Sequence, residues 1–216
     1  MCIDKRGSLF WSVSPLLALG LAGCFRVDLD DLAKEPPSKQ RFMLDVKLPA
    51  EPTALSERQH PVLIVESVHA VAPYNGRPFV YRTGPSRYET DFYAEFLVDP
   101  GQQLTQLTRQ WLQATQAFPV VVDSASGVVA QFALTMDLTE LVGDFRDAGK
   151  PKAVVALRAV LTRVTGERAI VWQKAYRVEK SIRDRDPTSL AAGWGDAVRD
   201  LLGQVAGDVR SRGQAK

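Results

Sequence analysis

Between Phe132 and Glu179 the sequence alternates apolar and polar residues three times over, and this constrains the fold more than any other feature. Phe132, Leu134, Met136 and Leu138 alternate with Ala133, Thr135, Asp137 and Thr139. Val155, Leu157, Ala159 and Leu161 recur at every second position within residues 153–164. Ile170, Trp172, Tyr176 and Val178 follow within residues 169–179, interrupted on that face by Lys174. A period of two places alternate side chains on opposite faces of a sheet. Thr165-Gly166-Glu167 is a tight connection, so the last two segments are predicted to be antiparallel neighbours. Such a sheet needs an apolar cover on one face.

Two helices supply that cover, and both begin with Asp-Pro. Asp suits an N-cap, and Pro suits the first helical position, where its missing N–H would have no partner anyway. After Asp99-Pro100, residues Leu104, Leu107, Trp111, Ala114 and Phe118 fall on one stripe, and Pro119 is predicted to stop the helix before the buried strand Val120-Val121-Val122. After Asp186-Pro187, residues Leu190, Trp194, Val198, Leu201, Val205 and Val209 form a second stripe. Gly203 and Gly207 on that helix form a small-xxx-small pair, read either as a close-packing device or as tolerated glycines. Residues 210–216 are polar and expected to fray.

Upstream, Leu44, Val46 and Leu48 alternate with Asp45 and Lys47 as a half-buried strand, and residues 62–71 form a more buried one. Asn75-Gly76 then predicts a hairpin to a strand at residues 79–82, followed by a short extended piece at residues 88–92. This order predicts an α+β fold: a single domain, a mainly antiparallel sheet, and two main helices packed on one face. No internal repeat or further boundary follows Arg41.

Residues 1–24 read differently. Lys5 and Arg6 form a short positive region, and residues 9–21 an apolar stretch of 13 residues, against the roughly 20 a spanning helix needs. Leu21-Ala22-Gly23-Cys24 has the form of a bacterial lipobox, with cleavage between Gly23 and Cys24 and lipid, including palmitate-type acyl chains, on Cys24. The predicted organisation is a lipoprotein signal peptide at 1–23, a lipidated Cys and flexible tether at 24–40, and a folded domain at 41–216. Cys2 leaves with the signal and Cys24 carries lipid, so no disulfide remains. The tether ends in a Pro36-Pro37-Ser38 run and spans roughly 20 Å as a coil.

The chemical inventory is sparse. Twenty-seven Lys and Arg against 25 Asp and Glu give a charge of +2, too weak a field to argue for nucleic acid. His60 and His69 have no third ligand at a suitable spacing, so no metal site is expected. The run from Gly143 to Lys150 departs from a phosphate loop: five residues separate Gly143 from Gly149, and Pro151 replaces the magnesium-holding Ser or Thr. Asp137 is read on a polar strand face, and Glu140, Asp144 and Asp147 in a turn, as solvated carboxylates rather than an acid–base pair. No nucleophile elbow or zinc-protease motif occurs. The expectation is a protein that is not an enzyme and has no cofactor.

In its order of motifs the chain resembles the ABC-type transport auxiliary lipoprotein family, which includes the paraquat-inducible C-type lipoproteins. The carrying residues are Leu21-Ala22-Gly23-Cys24, Pro61-Val62-Leu63-Ile64-Val65, and Tyr74-Asn75-Gly76-Arg77-Pro78-Phe79-Val80-Tyr81-Arg82. Tyr93, Asp99-Pro100 with the Leu104 helix, residues 134–145 and the turn at Thr165-Gly166-Glu167 complete the match. Where family members often carry Tyr-x-x-x-x-Trp before Asp-Pro, Phe96 and Leu97 stand here, a divergence from the pattern. The resemblance implies a non-catalytic auxiliary component of intermembrane lipid transport. Its implied partners are an MCE-domain periplasmic protein with its ABC permease and ATPase. In Gram-negative lipoproteins with such a lipobox an Asp just after the Cys commonly retains the protein in the inner membrane; Phe25 occupies the position here, so the resemblance implies the periplasmic face of the outer membrane. A structural or assembly lipoprotein of the outer membrane is the alternative, and a homo-oligomer is compatible with either.

Overall fold

One 13-residue strand organises the fold, because its two edges pair directly with four of the other eight strands among the described residues and the remaining four join through those. The computed structural model describes residues 38–49 and 61–213. The elements are β1 (Gln40–Phe42), β2 (Val62–Val65), β3 (His69–Ala70), β4 (Pro78–Arg82), β5 (Tyr88–Phe96), α1 (Pro100–Ala114), β6 (Val120–Asp123), β7 (Phe132–Asp144), β8 (Lys152–Arg163), β9 (Ala169–Ser181) and α2 (Pro187–Gly213). Along one edge β7 pairs antiparallel with β8, which pairs antiparallel with β9. Along its other edge β2, β3 and β4 join in succession, each parallel to it. β6 extends the sheet beyond β2, while β5 and then β1 extend it beyond β4. The result is one curled α+β domain with two helices, as predicted, although five of the strand pairs run parallel.

That parallel edge corrects the hairpin expected at Asn75-Gly76. A two-residue hairpin turn needs positive φ at its first central position, and neither Asn75 nor Gly76 has it. The segment instead forms a loop that carries the chain from β3 to β4 along the same strand. The hairpin lies one element later: β4 and β5 pair antiparallel across residues 83–87. At Thr165-Gly166-Glu167, by contrast, Gly166 does adopt φ 69°, and the predicted antiparallel pair forms.

The predicted strand at 62–71 is broken because α1 pulls its middle out of the sheet. Val68 N–H donates to Thr105 Oγ1 at 2.8 Å, and Gly101 lies so close that a Cβ there would be 2.7 Å from the Val68 carbonyl. Leu44 and Val46 are buried and Asp45 and Lys47 exposed, as their alternation requires, but residues 43–49 are not a strand and Leu48 is exposed. The Leu44 N–H is taken by the buried Gln103 side chain (2.8 Å), so it cannot join a ladder.

Both helices start as read: Asp99 Oδ1 accepts from Gly101 and Gln102, and Asp186 Oδ1 from Thr188 and Ser189. α1 ends at Ala114 rather than near Phe118, because Gln116 turns into the left-handed region and Ala117 N–H bonds back to the Leu112 carbonyl. Its buried stripe is Leu104, Thr108, Trp111 and Leu112, with Leu107 and Ala114 at the margin. In α2 the whole predicted stripe is fully buried, and the helix continues to Gly213, through the residues expected to fray. Trp194 sits at the centre of the core. Its ring lies 4.7 Å from Phe79 and 5.5 Å from Phe96, and its indole N–H donates to the Val142 carbonyl at 3.3 Å. Gly203 and Gly207 have open space around them, so they are the tolerated kind; the close approaches are at Gly193 and Gly195. Ile170 is exposed because a register shift opposite Leu161 and Thr162 turns it away from the Tyr176 face.

Candidate functional site

The lipobox residues Leu21, Ala22, Gly23 and Cys24, and also His60, lie outside the described residues. His69 is exposed in β3, in register with Asp137 on β7. Glu140 and Asp144, expected in a turn, belong to β7, and only Asp147 is in the turn. Each has a structural partner. Arg177 bridges Glu140 and Glu179, and Lys152 reaches Glu179 at 2.7 Å, so alternating charges cross β7, β8 and β9. Hydrogen bonds from Lys152 and Arg177 hold the Glu179 carboxyl below the ordinary range. Arg146 grips Asp144 with two nitrogens at 2.6 and 2.9 Å and lowers its pKa. Asp147 accepts from Gly149 N–H. No group of three His, Cys, Asp or Glu that could hold a metal occurs among the described residues.

Gly143, the first glycine of the phosphate-loop-like run, lies inside β7 beneath α2. A Cβ there would stand 2.8 Å from Leu190 Cδ2 and 3.2 Å from Tyr81 Cδ1. Its role is packing. The buried tyrosines are also tied up. Burial first, and then a hydrogen bond to Asp91, push the Tyr81 hydroxyl up; burial and a bond to Asp208 (2.7 Å) do the same to Tyr176. Tyr74 is raised to about 12, mainly by burial. Such hydroxyls stay protonated near neutrality and offer no base.

The exposed surface is more informative, and its main feature lies at the β1–β5 edge. Val80 pairs with Thr90, and Pro78 with Glu95, so β5 carries extra residues that bulge from the ladder. Asp91 Oδ1 closes the bulge by accepting from the N–H groups of Tyr93 (2.7 Å) and Ala94 (2.9 Å). Burial alone would raise the Asp91 pKa, but bonds from Tyr81, Ala94 and Tyr93 outweigh it and lower it. The bulge turns Phe92 and Tyr93 outward, 71% and 44% exposed, with their rings edge to face at 5.0 Å.

Beside them, Glu95 draws three cations. Lys39 approaches at 3.4 Å, Arg41 at 3.1 Å and Arg77 at 3.0 Å, and the Arg41 bond is the largest influence holding the carboxyl low. Glu95 is 13% exposed while each cation is about half exposed, so the surface presented is basic. The Lys39 ammonium also stands 5.2 Å over the Phe92 ring and joins the basic and aromatic parts into one patch. None of the site residues expected from the sequence lies in this patch. The clue was there in Asp91-Phe92-Tyr93, since an alternating strand seldom sets two large aromatics side by side.

A groove of about 390 Å³ runs between residues 43–47 and the first half of α2, with Met43, Lys47, Thr188 and Arg199 among its walls. Its floor is tight: a Cβ on Gly195 would lie 2.5 Å from the Asp45 carbonyl oxygen. Arg199 is engaged by Asp196 at 2.8 Å.

No protein-family model and no curated protein matches the chain. Solved structures do. Protein XCC0632 from Xanthomonas campestris, described with the family designation DUF330, superposes with a TM-score of 0.68 at 16% identity, over 79% of this chain and 94% of that one. A structure described as that of an uncharacterized protein gives 0.62 at 15% identity, over 80% and 99%. The protein CT253 from Chlamydia trachomatis gives 0.51 at 9% identity, over 73% and 100%. At these identities the likeness is one of fold, and the chain shares with the DUF330 protein an architecture that spans nearly the whole of that molecule.

Proposed function

We propose that the chain is a lipid-anchored bacterial lipoprotein whose folded domain serves as a non-catalytic auxiliary component of an ABC/MCE-type intermembrane lipid transport system. The observation that carries the anchor is Leu21-Ala22-Gly23-Cys24 at the end of an apolar stretch too short to span a bilayer. No helix among the described residues is long and apolar enough to cross a membrane, which leaves the lipid on Cys24 as the attachment in this reading. Phe25 in place of Asp favours the outer membrane, facing the periplasm. The transport role is supported by the order of family-like motifs along the chain. It is also supported by the engagement of Glu140, Asp144 and Glu179 in structural ion pairs, which suits a domain that acts by its surface.

The partners in this reading are a periplasmic MCE-domain protein and its ABC permease and ATPase. The test is affinity capture of the tagged chain from solubilised envelopes, read by mass spectrometry. Recovery of an MCE component, unchanged in His69→Ala and Glu140→Gln variants, is the expected result. Recovery of outer-membrane assembly factors with no MCE component would overturn the transport role and favour a structural lipoprotein.

A further inference from the structure

The basic and aromatic patch lies where the chain enters the domain. Lys39, which belongs to the patch, immediately precedes β1, the first strand, and lies fifteen positions after Cys24. Fully extended, that length reaches about 50 Å at most. Whatever bilayer holds Cys24 is therefore within reach of this end of the sheet. Val129, also exposed, sits at the other end of β7: β4 and β5 lie level with its last residues, whereas Val129 precedes its first. The two ends are about 30 Å apart at strand geometry.

We infer that the Phe92–Tyr93 bulge, with Lys39, Arg41 and Arg77, is a docking surface for the anionic face of the bilayer that holds the lipid anchor. Charge complementarity is the first argument. Three half-exposed cations share the nearly covered Glu95, and with the ionised Asp91 of the bulge counted as well a local excess of one positive charge remains. Juxtamembrane cations are attracted to anionic lipid within about a Debye length. The second argument is chemical. Phenyl and phenol rings beside Lys and Arg suit the headgroup boundary, where apolar rings enter and cations remain among phosphates. The third is structural. The bulge is fixed by Asp91 before any ligand binds, so little ordering is needed when it docks.

A docked domain is oriented as well as tethered. With the β1–β5 edge on the lipid, the opposite end of β7 points away from the bilayer, toward any partner in the periplasm. This inference rests on the lipid anchor of the proposed function, and its test separates the two.

An environment-sensitive fluorophore is attached at Phe92→Cys, and in a second protein at Val129→Cys, in the full chain reconstituted into vesicles of phosphatidylcholine with phosphatidylglycerol. Doxyl-labelled lipid is the quencher. Quenching at position 92 but not at 129 is expected, weakened by salt and by replacing phosphatidylglycerol with phosphatidylcholine. Each of Lys39→Gln, Arg41→Gln and Arg77→Gln should weaken docking about fivefold. Against a protein labelled at Tyr93→Cys alone, adding Phe92→Ser removes the remaining exposed ring without touching the core and should lower quenching at 93. A probe at 92 that stays in water, or one quenched no more than that at 129, overturns the docking surface. So does a probe unquenched by lipid but shielded when periplasmic extract is added, which would assign the patch to a protein. The mass of the N-terminal peptide reads lipid on Cys24 separately, so an unmodified peptide overturns the anchor while the probe at 92 still judges the patch.

Discussion

Gly195 and Gly203 lie two turns apart on one helix, yet a methyl group at each should act in opposite directions. In a helix interior Ala is favoured over Gly by about 0.5–1 kcal/mol. Gly203 has open space where its Cβ would go, so Gly203→Ala should raise stability by about that amount. At Gly195 the same atom would lie 2.5 Å from the Asp45 carbonyl oxygen, and residues 43–47 would have to move. Overpacking of this kind costs about 1–3 kcal/mol and outweighs the helix gain. Thermal melts of the two variants read the difference; two shifts of the same sign would mean that residues 43–47 yield freely. Trp194 marks the other extreme. It is fully buried against Phe79 and Phe96, and Trp194→Ala should cost about 3–5 kcal/mol in denaturant titration. An unchanged midpoint would remove α2 from the core.

At the scale of elements, what was legible in the sequence was whatever local chemistry decides. Asp-Pro starts both helices because capping involves only neighbours in the chain. The α2 stripe is read without error because one continuous face meets one continuous sheet. The hairpin at Asn75-Gly76 was misplaced because strand pairing is not local. β3 and β4 both find β7, more than 60 residues downstream, rather than each other. The aromatic patch was missed for a related reason: its cations arrive from β1 and from the approach to β4, and only the sheet brings them to Glu95.

The ladder across β7, β8 and β9 makes a prediction about acid. Lys152 and Arg177 hold the folded Glu179 pKa below the ordinary glutamate value of about 4.3. Its contribution is therefore complete above that value and lost as the pH falls through the lower folded one. Glu179→Gln should lower the melting midpoint at neutral pH, and the gap from wild type should close as the pH falls below the ordinary glutamate value. Because these side chains are partly exposed, salt should shrink the gap as well. A gap that is constant with pH would mean that the variant acts through packing and not through charge.

At the scale of the whole molecule, the proposed function assigns attachment and folding to different stretches of chain. Among the described residues the buried core is drawn from residues 44–209. Acyl chains contribute about 0.8 kcal/mol per buried methylene, far more than three screened surface cations could. Removing the acceptor thiol should therefore abolish attachment and leave the fold intact. In cells fed a labelled fatty acid, the wild-type chain should incorporate label, and Cys24→Ala should incorporate none and persist with residues 1–23 uncleaved. Limited proteolysis should still release the same resistant fragment from both proteins, starting close to β1. Equal labelling of the variant would overturn the lipobox. Loss of the resistant fragment would show that the N-terminal segment contributes to folding, and the docking patch would then have to be read together with that segment rather than as a free surface. With label lost and the fragment kept, Cys24 sets where the protein sits, and the β1–β5 edge is left to set how it faces the bilayer.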